Sequence, residues 1–177
     1  MLSSERGAVL AELGGAHWGL LPALASLPWL ISLGGETAGI RGCFLLLACL
    51  MASFDLVTRR IPNPLAALAA LSGLAAAWAS GGWSSLAQAG LAGLVAFSLM
   101  LVFHLMGAVG AGDVKALGAL GCFTLPWGAV QLFLYTALAG GLLAGAYLLL
   151  GRRRHTLPYG VAIAAGALAL AAGGGLP

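Results

Sequence analysis

The stretch Leu50-Met51-Ala52-Ser53-Phe54-Asp55-Leu56-Val57-Thr58-Arg59-Arg60-Ile61-Pro62-Asn63 decides how the chain folds. It closes an apolar run that begins near Ile40 and ends at Val57, a length close to the roughly 20 residues a membrane-spanning helix needs. Asp55 sits inside that run, about one helical turn before the arginine pair Arg59-Arg60. A carboxylate at membrane depth is costly, about 2.5–3.5 kcal/mol at mid-bilayer and less near the interface. It therefore faces a partner or a water-filled cavity.

The rest of the chain repeats this pattern of apolar runs and short polar gaps. Of 177 residues, 61% are hydrophobic and 7% charged, against about 25% charged in an ordinary soluble domain. A soluble protein of this size leaves roughly a third of its surface wet, so the bilayer is the natural solvent here. The formal charge of +3 does not point to nucleic acid, because the basic residues cluster in short gaps rather than on a broad face. Cys43, Cys49 and Cys122 lie in apolar stretches without a CxxC. They read as small buried hydrophobes, not as disulfides or zinc ligands.

These breaks predict an all-α, polytopic transmembrane bundle of six to seven helices, with residues 1–177 forming one membrane-embedded domain. The expected segments are His17 to Leu33, Ile40 to Val57, Pro64 to Ala79, Ser85 to Met106 after a Gly81-Gly82 turn, a helix from near Asp113 to Leu125-Pro126, Trp127 to Leu150, and Pro158 to Leu170. The first segment reads either as a spanning helix or as a signal peptide with a cleavage site near Ala23-Leu24-Ala25. Strict alternation places Arg59, Arg60, Lys115 and Arg152 to Arg154 on one side, leaving Arg41 on the other. The positive-inside tendency makes the basic side cytoplasmic.

Only one other aspartate exists, Asp113, in Gly110-Ala111-Gly112-Asp113-Val114-Lys115. Alternation puts it at the same depth and side as Asp55. Two carboxylates facing one cavity cannot both ionise easily, so they titrate as a unit with one proton retained. The ionised member can take a proton from water while the protonated member polarises a carbonyl. Gly107, Gly110 and Gly112 leave little bulk before Asp113, and glycine permits close backbone approach. A bland reading fits the same spacing: a flexible loop whose Asp caps the start of a helix. Lys115, Arg59 and Arg60 also read as interfacial anchors that snorkel. His17, His104 and His155 share no metal-ligand spacing, although His104 is close enough to the site to line it. Gly141 and Gly145 form a GxxxG, a spacing that lets helices approach closely.

Together these residues resemble a known family. Asp55-Leu56-Val57-Thr58-Arg59-Arg60-Ile61-Pro62-Asn63 resembles the first-aspartate motif of type IV prepilin leader peptidases. Gly110 to Lys115 matches the GxGD signature with its following Lys, and Leu157-Pro158-Tyr159-Gly160-Val161-Ala162 resembles the stretch that opens the last helix. The resemblance covers about residue 40 to the end, with residues 1–36 as an extra apolar segment before a core of 37–177.

It implies a cofactor-free, metal-free aspartyl endopeptidase of the bacterial inner membrane, with Asp55 and Asp113 catalytic. The implied substrate is a prepilin or pseudopilin, engaged through its N-terminal leader and apolar helix and cut at the cytoplasmic face. Pro62, Asn63, Gly110, Gly112, Lys115, Pro158, Tyr159 and Gly160 would then shape the site or touch substrate. The larger members' insertion with two CxxC pairs is absent, so the chain most resembles the short Flp/Tad-type peptidases, with methyl transfer not implied. A small proton- or cation-coupled transporter using the same Asp pair is the rival reading.

Overall fold

A computed structural model describes residues 37–150 and 158–176. The order is α1 (Thr37–Thr58), α2 (Asn63–Leu105), α3 (Ala111–Gly121), α4 (Pro126–Leu149) and α5 (Tyr159–Ala172), with no strand among the described residues. The segment expected from His17 to Leu33 and the basic gap at Arg152 to Arg154 lie outside them.

The described residues form five helices where six to seven were expected for the whole chain. The main reason is α2. The expected helices 64–79 and 85–106 run as one element whose dihedrals leave the helical region only at Gly81 (φ −157°, ψ 21°) and Gly82 (φ 61°, ψ −143°). A straight helix of this length would extend about 64 Å, twice the roughly 30 Å hydrocarbon core. The glycines resolve the mismatch by folding the chain back. Gly73 on one arm and Gly93 on the other both abut Cys122 at the end of α3. Pro64 in the first turn of α2 removes an amide that has no helical partner there anyway.

Packing follows residue size. Gly121 lies where an added methyl would come 2.8 Å from Ala96 Cβ and 3.0 Å from the Ala92 carbonyl oxygen. Only glycine lets α3 press this closely on the second arm of α2. From Val114 to Gly121 every residue of α3 except Lys115 is buried. Phe44 and Met51 of α1, Met100 of α2, Leu117 and Leu120 of α3, Leu132 of α4 and Ile163 and Leu170 of α5 fill the core. Gly141 and Gly145, the GxxxG of α4, have nothing within 4 Å of an added methyl. That spacing therefore makes no helix contact among the described residues.

The outside is as greasy as the inside. Leu134, Leu138 and Leu142 form an exposed stripe on α4, and Leu71 and Leu105 are also exposed. In water such a surface would be an aggregation patch, whereas in lipid it is the expected exterior. By length and composition α1, α2 and α4 can cross a membrane. At eleven residues, about 16 Å, α3 is too short to cross by itself. Exposed Trp78, Trp83 and Trp127 gather at the end where α2 reverses and α4 begins, as an interfacial aromatic belt does. Arg59, Arg60 and Lys115 lie at the opposite end, the end that carries the two aspartates.

Candidate active site

Asp55 occupies the last turn of α1 and Asp113 the first turn of α3, and each is only 8% exposed. The fold gives both carboxylates the same kind of support. A helix start exposes backbone amides without intrahelical partners and carries a partial positive charge. Gly160, in the first turn of α5, donates its N–H to Asp55 Oδ2 at 2.8 Å. Gly110, the residue before α3, donates its N–H to Asp113 Oδ2 at 3.0 Å. The bland helix-cap reading is thus modified: Gly110 takes the cap position, and Asp113 reaches back to it from three residues on.

The connection that delivers Asp113 is tightly specified. α2 closes in a Schellman motif, with the Ala108 N–H bonded to the Phe103 carbonyl and the Gly107 N–H to the His104 carbonyl, both at 2.9 Å. Gly107 has φ +78°, the left-handed conformation this motif requires and glycine supplies without steric penalty. Gly110 has φ −77° and Gly112 is not among the positive-φ residues. Of the three glycines before Asp113, only Gly107 uses glycine's special conformational freedom. The His104 ring, through Nδ1, lies 2.8 Å from the Val109 carbonyl oxygen.

Two cavities meet at the pair. One, of about 530 Å³, is walled by Asp55, Asp113, Arg59, Arg60, Pro62 and Lys115, among others. The second, of about 670 Å³, contains both aspartates and Arg59 together with Phe103, Gly140 and Tyr159. Asp55 and Asp113 therefore share both spaces, one basic and one largely apolar. Burial pushes the Asp113 carboxyl up to about 6 from its usual 3.8; the Gly110 amide opposes the rise and the neighbouring Asp55 charge adds to it.

The other expected residues divide. Asn63 and Lys115 are joined, Lys115 Nζ donating to Asn63 Oδ1 at 3.1 Å, and with Pro62, Gly110 and Gly112 they line the basic cavity. Asn63 and Lys115 also end an apolar groove of about 600 Å³ between the arms of α2. Tyr159 lines the apolar cavity, where Gly140 leaves room for its ring. Gly160 anchors Asp55 directly. Pro158 is buried as the cap residue of α5 and lies outside both cavities.

Sequence reasoning did not single out Phe103 or Gly140, and nothing in their neighbours signals a site role. It treated Arg59 chiefly as an anchor. In the structure Arg59 has φ +55°, uncommon for a non-glycine residue, and borders both cavities.

Residues 42–145 match a family profile described as the type IV leader peptidase family. That range contains both aspartates and stops before Pro158. No curated protein and no solved structure matches the chain significantly.

Proposed function

The chain belongs to the type IV leader peptidase family, and from that premise we propose that it is an aspartic-type endopeptidase whose catalytic pair is Asp55 and Asp113. One observation carries the proposal: two buried carboxyls from helices far apart in sequence line the same two cavities. The raised Asp113 carboxyl supports its role as the member that holds the proton.

In this scheme Asp55 accepts a proton from the attacking water while Asp113 donates one toward the scissile carbonyl oxygen. The water oxygen bonds to the carbonyl carbon, giving a tetrahedral diol. As the C–N bond breaks, Asp55 returns its proton to the leaving amine and the diol re-protonates Asp113. Both residues finish as they began.

The substrate is a prepilin or pseudopilin of the type IV or Flp class. Its apolar helix docks laterally from lipid, and the apolar groove that ends at Asn63 and Lys115 is suited to such entry. Its leader stays outside the hydrocarbon. The clustering of Arg59, Arg60 and Lys115 at the aspartate end favours a cytoplasm-facing site in a bacterial inner membrane. The short gaps between helices fit the short form without the methyl-transfer insertion.

The test is cleavage of a prepilin-type substrate co-expressed in membranes. Asp55→Asn and Asp113→Asn should each lower cleavage by at least about a hundredfold, the lower bound for losing a general acid or base, with membrane levels unchanged. Full processing by either variant refutes the assignment.

A further inference from the structure

We propose that His104 is a positioning residue for Asp113, acting through the single peptide group that joins Val109 to Gly110. The inference rests on the reading of Asp113 as a catalytic carboxyl and extends it to a side chain that touches neither aspartate.

The geometry is serial. His104 Nδ1 lies 2.8 Å from the Val109 carbonyl oxygen. A carbonyl oxygen only accepts, so Nδ1 carries the proton and donates. The Val109 C=O and the Gly110 N–H are opposite ends of one planar, conjugated unit. That same Gly110 N–H donates to Asp113 Oδ2 at 3.0 Å. Ring, peptide and carboxylate thus form one chain of hydrogen bonds. Donation to the carbonyl oxygen draws charge through the amide and strengthens the N–H as a donor, as linked hydrogen bonds polarise one another. The ring also fixes the rotation of this peptide plane. With glycine on its C-terminal side, the plane would otherwise be free to turn and aim the N–H elsewhere.

Helix capping does not account for the contact. The Schellman bonds from Gly107 and Ala108 already satisfy the His104 and Phe103 carbonyls. The imidazole reaches past the end of its own helix, across Gly107 and Ala108, to the peptide adjoining the next helix. The connection is short and largely exposed; the Schellman bonds fix its start, and the ring contact holds its far end.

The experiment compares His104→Leu, His104→Asn and His104→Gln in the full-length, membrane-extracted protein. It measures kcat and KM on a prepilin-type substrate across pH, together with thermal melting. The Asn amide nitrogen falls near the place of Nδ1, whereas the Gln amide falls near Nε2, so Asn preserves the donor and Gln does not. His104→Leu and His104→Gln should lower kcat about tenfold to a hundredfold, as expected for a catalytic group displaced by up to 1 Å, with KM within about twofold. His104→Asn should recover most of that loss. Weakening the Gly110 donor makes ionisation of Asp113 harder, so the alkaline limb of the pH profile should move upward in the Leu and Gln variants and return in Asn. Asp55, Arg59, Arg60, Lys115 and Tyr159, which line the two cavities that Asp113 shares, are unchanged in all three.

Wild-type kcat and pH profile in His104→Leu would overturn the proposal. So would equal impairment of all three variants in step with lowered melting, which marks a merely structural histidine. Asp113→Asn, run in parallel, separates this inference from its premise. If Asp113→Asn is inactive and His104→Leu is normal, only the positioning role fails; if Asp113→Asn cleaves, the catalytic assignment fails.

Discussion

Adding one methyl group at Gly160 tests the site at its tightest point. In Gly160→Ala the new carbon would lie 2.7 Å from Asp55 Cβ, 3.1 Å from Asp55 Oδ2 and 3.2 Å from Ala52 Cα. Carbon atoms in contact prefer about 3.5–4.0 Å, so the shortfall against Asp55 Cβ is about 1 Å. Cβ and Cα move only with the backbone, so no side-chain rotation relieves the clash. α1 and α5 must separate where they cross, and the 2.8 Å bond from the Gly160 N–H to Asp55 must stretch beyond hydrogen-bonding range.

Two effects on stability oppose each other. Overpacking of this kind costs about 1–3 kcal/mol, while alanine gains about 1 kcal/mol over glycine inside a helix. The net loss of stability should thus be about 0–2 kcal/mol. Catalysis has no such compensation, because a displacement near 1 Å at a catalytic group can cost about a hundredfold. Cleavage assays and thermal melts on the same detergent-extracted samples should show activity falling far more than stability. Gly145→Ala is the control, since its methyl would meet nothing within 4 Å and Gly145 lines neither aspartate cavity. Wild-type cleavage by Gly160→Ala, with melting unchanged, would refute the close packing of α5 on Asp55.

Other outcomes follow from the same geometry. If Asp113 must be protonated to polarise the carbonyl, and its carboxyl is pushed up to about 6, kcat should fall as pH rises through that value, by about tenfold per pH unit on the far side; a flat profile from pH 5 to 8 would contradict this role. Because the folded value of Asp113 lies above its usual 3.8, its contribution to stability is intact below that lower value and lost as pH rises through about 6. Asp113→Asn should accordingly melt no lower than wild type at pH 7.5, although inactive. Gly107→Ala places a side chain at φ +78°, which should cost about 1–2 kcal/mol and be seen as a lower melting temperature.

Most of the helical plan was legible because lipid imposes a length rule on apolar runs. The limits of α1 fall close to the expected ones, and the reversal at Gly81-Gly82 occurs where the glycine pair predicted a turn. The end of α3 was missed. Apolar residues continue through Cys122 and Phe123, so hydrophobicity alone extends the helix to Leu125-Pro126, whereas the chain turns after Gly121. The GxxxG of α4 marked a candidate packing face, but spacing alone cannot say whether a neighbour lies opposite it.

At the site, the rarity of acidic residues made Asp55 and Asp113 conspicuous. Their anchors, Gly110 and Gly160, were named only through the family resemblance, and their role as amide donors was not legible, because backbone amides have no signature in side-chain identity. The contact between Gly160 and Asp55 spans 105 residues, and it is the packing of α5 on α1 that brings them together. His104 was noticed for its position near the site, but its ring contact depends on the path of the loop that follows it.

The main-chain origin of these anchors bears on how such a cleft can diversify. Truncating Gly160 or Gly110 is impossible, and exchanging either for most residues keeps the N–H, so a survey of alanine replacements would register crowding rather than the missing donor. Only proline deletes it. If the pair is catalytic as proposed, the scaffold fixes its acids by chain direction, and the side chains around them are left free to change substrate preference without dismantling the chemistry.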